Sequence, residues 1–230
     1  MSERNKINRR RFLALTGGAV GATALACCGL TVLGTRQPAV EFNESSCGGG
    51  NEMSDQAQVL VAYASGCGST GEVAETIGQT LCEAGAAVDV RLVQNVTDVS
   101  SYGAVIVGSA IRMGRWLPEA MQFVEGHRET LSRVPLACFL TCMTLAKEGD
   151  AEENRRTVAA YLDPVREMVQ PVDVGFFAGV MNYSKLSFVY RMMMKGMGTP
   201  EGDFRDWEGI RAWAADLRPA LLGASMGGNA

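Results

Sequence analysis

The 230 residues contain a single histidine, His127, and none of the cysteines form a Cys-x-x-Cys pair. His-dependent catalytic triads therefore have only one residue to draw on, and no zinc or iron–sulfur ligand set is readable. His127 falls between Gly126 and Arg128 on an expected helix, where a surface position is the simplest reading. Gly-Lys-Ser/Thr is absent, so nucleoside triphosphates are disfavoured. The formal net charge is −4, which leaves no basic footprint for nucleic acid. Aromatic residues are few, but hydrophobic residues reach 47%, enough for one soluble core with appendages.

The seven cysteines do not announce a disulfide framework. Cys138 and Cys142 stand four apart on an expected strand, so they face one side about 13 Å apart, too far to bridge. They read as packing residues.

Charge is also missing from Phe12 to Gly34, an apolar run preceded by Arg4, Lys6, Arg9, Arg10 and Arg11. This is a targeting element rather than core. Asn8-Arg9-Arg10-Arg11-Phe12-Leu13 resembles a twin-arginine export signal, a route that carries folded proteins; a Sec signal is the alternative. Residues 1–34 are thus expected to export the chain, and as an uncleaved helix would anchor it on the extracytoplasmic membrane face. Cleavage after Ala24-Leu25-Ala26 stays open, and Leu25-Ala26-Cys27-Cys28 is a poor lipobox because its cleavage-proximal residue would be Cys. Residues 35–57 have linker composition, 58–222 the pattern of a folded domain, and 223–230 that of a disordered tail.

Within the domain, short apolar runs alternate with amphipathic ones. Strands are expected at Val59–Ala64, Val88–Val93, Ala104–Ser109, Leu136–Cys142 and Val172–Val180. Helices are expected at Thr70–Ala84, Pro118–Ser132, Glu152–Val169 and Trp207–Leu217. Such βα alternation, with strands apolar almost throughout, predicts an α/β fold: a parallel sheet between two helical layers. Glu148, Asp150, Glu152 and Glu153 read as a solvated acidic loop entering a helix N-terminus.

The chemistry concentrates where the first strand meets the first helix. Ser65, Gly66, Cys67, Gly68, Ser69 and Thr70 form a small-residue loop whose N–H groups and hydroxyls converge beside the positive end of a helix dipole. That is a phosphate cradle. After the third strand, Ser109, Ala110, Ile111, Arg112, Met113, Gly114 and Trp116 occupy the opposite side of the sheet's switch point. Gly114 permits a positive φ, Arg112 or Arg115 can offset negative charge, and Trp116 is either a stacking face or a core anchor at a helix start. After the fourth strand, Thr141, Cys142, Met143 and Thr144 would border the same cleft through backbone contacts.

Ser65, Gly68 and Thr70, placed after the first strand, resemble the FMN phosphate loop of flavodoxins. The resemblance implies a flavodoxin-like three-layer sandwich with five parallel strands in the order 2-1-3-4-5 and FMN as cofactor. The phosphate loop, Ser109–Gly114 and the late Tyr183, Tyr190-Arg191, Lys195 and Asp206-Trp207-Glu208 together resemble the branch containing menaquinone-dependent protoporphyrinogen oxidases. Gly66-Cys67 departs from the bulkier polar pair of that branch. Electron transfer with a membrane quinone or redox protein is the implied activity, with porphyrinogen oxidation or a flavin-free interaction module as alternatives. Met192, Met193, Met194 and Met197 lie among Lys185, Arg191 and Lys195 in an insert that either faces a membrane or partner or packs on the sheet edge.

Overall fold

The structure is a computed structural model that describes residues 42, 44–48, 58–147 and 149–223. The expected signal or anchor lies outside them, and among the described residues no helix is long and apolar enough to cross a membrane. Val40–Asn182 and Thr199–Ala230 form one compact unit, and Tyr183–Gly198 belongs to another.

In the larger unit the strands are β1 (Ser45–Cys47), β2 (Gln58–Ala64), β3 (Ala87–Leu92), β4 (Ala104–Arg112), β5 (Arg115–Trp116), β6 (Leu136–Thr141), β7 (Asp173–Phe177), β8 (Val180–Met181) and β9 (Gly202–Asp203). The helices are α1 (Ser69–Glu83), α2 (Pro118–Gly126), α3 (Arg128–Leu131), α4 (Ala151–Ala160), α5 (Asp163–Arg166) and, after the insert, α7 (Trp207–Leu222). The main sheet runs β1-β3-β2-β4-β6-β7, with β5 paired to β4 off that path. β2, β3, β4, β6 and β7 pair in parallel.

Side chains alternate across each central strand and so build a core on both faces. Leu60, Ala62, Val105 and Val107 meet Phe123, Val124, Val158 and Leu162 on one side. Val59, Val61, Tyr63, Ala104 and Ile106 meet Val73, Ile77, Ile210 and Leu217 on the other. The three-layer expectation is met, with two strands beyond the expected five.

The first extra strand corrects the linker reading. Ser45–Cys47 pairs antiparallel with β3, and Cys47 is disulfide-bonded to Cys82 on α1. Arg91 reinforces the join by donating to the Ser45 carbonyl at 3.1 Å and to Ser46 Oγ at 2.6 Å. The second extra strand, β5, makes a hairpin of the segment expected as a loop.

Two expected helices are each broken. Pro118–Ser132 divides at His127, and Glu152–Val169 divides at Tyr161–Leu162, where Pro164 opens α5 because its ring suits a helix start but not an interior. Asp150 caps α4 by accepting from Glu152 N at 2.9 Å and Glu153 N at 3.2 Å, which gives the acidic run its structural role. Glu148 lies outside the described residues.

The insert carries α6 (Phe188–Gly196). None of its residues is buried, and Phe188, Val189, Met192 and Met197 are each more than half exposed. Met193 and Met194 are half-buried. In the larger unit the flanking chain pairs as β8 and β9 through Val180 with Asp203 and Met181 with Gly202.

Candidate cofactor site

Three carboxyl ends converge. β2 and β4 are in register as far as Ala64 and Ser109, and β4 and β6 as far as Ala110 and Thr141. The loops that follow these positions are the three segments singled out in the sequence, and they surround the crevice at the switch point of the sheet.

The 65–70 loop is wound before any ligand arrives. Ser65 Oγ accepts from Gly68 N at 3.0 Å. Gly68 caps α1 with φ +90°, a left-handed conformation that glycine adopts without a Cβ penalty. Its carbonyl then accepts from Gly71 N at 2.9 Å and Glu72 N at 3.3 Å. Ser69 N–H and Thr70 N–H have no acceptor within the helix by geometry and face the loop at the positive dipole end. Gly71 lets Tyr63 lie beneath the first turn, since a Cβ there would stand 2.8 Å from the Tyr63 ring. Thr70 is buried, and its hydroxyl lies 2.8 Å from that of Thr141, which ties the cradle to the end of β6. Cys67 is half-buried on the loop.

The ring-side segment is a tight hairpin. Ile111 pairs with Trp116 and Arg112 with Arg115, leaving Met113 and Gly114 as a two-residue turn with φ +51° and +74°. Positive φ at both central residues is what a hairpin turn matched to strand twist requires. Met113 holds this uncommon conformation while 73% exposed. The positive φ expected at Gly114 is present, and a Cβ there would approach the Tyr161 ring to 3.2 Å. The Ser109 hydroxyl is committed within the protein: it donates to the Ala110 carbonyl at 2.9 Å and accepts from Leu117 N at 3.0 Å. Trp116 is only 4% exposed and packs in the core, so of the two roles open to it the core anchor is the one its burial matches. Its Nε1 is buried with no hydrogen-bond partner.

Arg112 departs from expectation in direction. A Cβ built on Gly66 would stand 2.7 Å from Arg112 Nη2, which brings the guanidinium against the phosphate loop. After β6, Cys142 N extends the ladder to the Phe177 carbonyl at 2.9 Å, and Cys142 Sγ accepts from Thr144 N at 3.4 Å, opening a helical turn over Met143–Ala146. Cys138 is fully buried, and burial pushes its thiol pKa up to about 12, which keeps it protonated and inert. The packing role read for both cysteines stands.

Sequence reasoning missed Arg205 and Tyr161. Arg205 Nη1 donates to Glu72 Oε2 at 2.7 Å and to the Ser69 carbonyl at 3.4 Å, while Nη2 donates to Asp203 Oδ2 at 2.6 Å. The guanidinium also stacks 4.2 Å from the Trp207 ring centroid. Arg205 thus braces the first turn of α1, and its hydrogen bonds to the Asp203 carboxylate hold that carboxyl below the usual range. The Asp203-x-Arg205 spacing shows a local pair, but nothing in the sequence shows that Glu72 completes it.

The small-residue loop, left-handed Gly68 and first-turn amides fit a phosphate monoester. The flavodoxin domain profile matches residues 60–207. Protoporphyrinogen IX dehydrogenase [quinone] of Leishmania major is 28% identical over 183 residues, covering 71% of this chain and 76% of that protein. Its namesake from Escherichia coli strain K12 is 24% identical over 171 residues, covering 70% and 94%. Among solved structures, oxidised flavodoxin 1 from Bacillus cereus aligns at 15% identity and a TM-score of 0.47, covering 72% of this chain and 99% of the other. With its cradle between the first parallel strand and the first helix, and a profile match spanning most of the folded unit, the chain belongs to the flavodoxin domain family.

Proposed function

We propose that the protein binds FMN and transfers electrons at the extracytoplasmic membrane surface, with a membrane quinone or a redox protein as partner. The observation that carries this reading is the prewound cradle at Ser65–Thr70, closed by left-handed Gly68 and tied through Thr70 to Thr141. Bound FMN would supply one- or two-electron redox chemistry, and the protein would contribute phosphate binding, ring position and the electrostatics around it. Ser65–Thr70 would hold the phosphate. Ala110–Gly114 and Thr141–Thr144 would border the ring mainly through backbone groups, because the Ser109 and Thr141 hydroxyls have protein partners.

Three observations support the location. Arg9-Arg10 precedes an uncharged apolar run. Cys47 and Cys82 are disulfide-bonded, a state that persists in oxidising compartments and is rare in the cytosol. Helix α6 and the Met197 that follows it expose Phe188, Val189, Met192 and Met197 in a segment that also holds basic Lys185, Arg191 and Lys195, a composition suited to an anionic membrane surface.

A second reading, oxidation of protoporphyrinogen IX, is favoured by the similarity to two dehydrogenases of that name. Purification followed by an absorbance scan separates flavoprotein from flavin-free module. Anaerobic reduction, then reoxidation by a menaquinone analogue, tests the quinone. Protein that is colourless and takes up no added FMN overturns the proposal, and porphyrinogen-dependent flavin reduction selects the second reading.

A further inference from the structure

We propose that the Arg112 guanidinium is the cationic partner of the FMN phosphate, supplied to the cradle from the ring-side hairpin. This rests on the FMN reading above and adds a residue that the cradle's own segment lacks.

The loop from Ser65 to Thr70 contains no basic side chain. Backbone amides and a helix dipole can hold a phosphate, but a dianion also gains from a charge-assisted hydrogen bond. Two arginines approach the loop. Arg205 is nearly buried and already faces two carboxylates, Asp203 and Glu72, which outweigh its charge. Arg112 is exposed, and its Nη2 lies 2.7 Å from where a Gly66 Cβ would stand, with Cζ at 3.9 Å.

Gly66 does not have a positive φ, so its backbone would accept another residue. What the glycine supplies is space, and the guanidinium fills it. The hairpin keeps Arg112 there: the Met113-Gly114 turn closes it, Ser109 fastens its base to Leu117, and buried Trp116 anchors its return strand. Phosphate occupancy and the ring-side hairpin are thereby linked through one side chain, and the site distinguishes FMN from unphosphorylated riboflavin.

Fluorescence titration of the flavin-stripped full-length chain with FMN and with riboflavin tests this. Arg112→Gln should weaken FMN about 10- to 100-fold, the loss of one hydrogen bond to a charged group, and leave riboflavin affinity unchanged. Gly66→Ala should act in the same sense, since its Cβ displaces only the flexible end of Arg112. Retained riboflavin binding shows in each case that the fold is intact. Equal weakening of both flavins, or undiminished FMN affinity in either variant, overturns the assignment. A parent protein that binds neither flavin, or both equally well, overturns instead the phosphate-cradle reading on which it rests.

Discussion

Thr70 joins two functions that separate substitutions can pull apart. Its hydroxyl meets Thr141 in a buried contact, and its amide belongs to the first turn of α1. Thr70→Ala should cost about 1–2 kcal/mol in urea unfolding, because the Thr141 hydroxyl is left without its partner. It should also weaken FMN, while Gly68→Glu, which places a carboxylate and a strained left-handed residue in the cradle, should abolish flavin binding. Full flavin content in both variants would move the phosphate site elsewhere. A second residue-scale consequence concerns pH. Tyr63 is fully buried, and burial, then Glu44 and Glu75, push its pKa to about 12. Tyr102 also rises to about 12, through burial and its hydrogen bond to Asp89 Oδ2 at 2.9 Å. An acid whose folded pKa is raised favours its neutral form in the native state. Its stabilising contribution is complete below the unfolded value near 10 and is lost as pH rises toward 12. Alkaline titration should therefore show these two tyrosinates appearing late and together with falling stability, and Tyr102→Phe should reduce that dependence.

At the scale of elements, the Cys47–Cys82 disulfide connects a short edge strand to the helix that begins at the cradle. It closes 35 residues, for which chain entropy predicts stabilisation of roughly 3–4 kcal/mol as an upper figure. Cys47→Ser with Cys82→Ser should lower the urea midpoint, and reductant should lower the parent to match but leave the variant unmoved. β1 also covers the outer edge of β3, which would otherwise present unpaired backbone groups. Helix α6 has the opposite character, with its large apolar side chains left in solvent. Burial of a few of them, at about 1.5–3 kcal/mol each, would dock a tethered domain on lipid. Flotation with anionic vesicles at low salt should show binding of the unanchored protein that Met192→Ser with Met197→Ser abolishes. No association, or association indifferent to those changes, rejects lipid docking.

For the whole molecule, the disulfide and the paired arginines make one connected prediction. A twin-arginine route exports proteins already folded, so cofactor loading would precede export and disulfide closure would follow it. A reporter fused after Gln58 should require Arg9 and Arg10. Export that survives Arg9→Lys with Arg10→Lys would assign the chain to Sec, and no export from the parent would remove the targeting claim.

The sandwich and the small-residue loop before the first long helix were legible in the chain because both rest on local rules. Buried parallel strands read as continuous apolar runs such as Val59–Ala64, and small residues between a strand and a helix start leave first-turn amides open to an anion. The helix breaks at His127 and before Pro164, and the hairpin at Met113-Gly114, were missed, since their cues are short and compete with longer periodic patterns. What escaped the chain is set by distance in sequence. Cys47 meets Cys82, Arg205 meets Glu72, Thr70 meets Thr141 and Arg112 reaches Gly66 only after the crossovers have brought strand ends together. Sequence alone determined that a small-residue loop would join the first parallel strand to the first long helix between Ala64 and Gly71. Tertiary structure decided which side chains brace it, because charge pairing, disulfide closure and steric room depend on separations in space that no local pattern encodes.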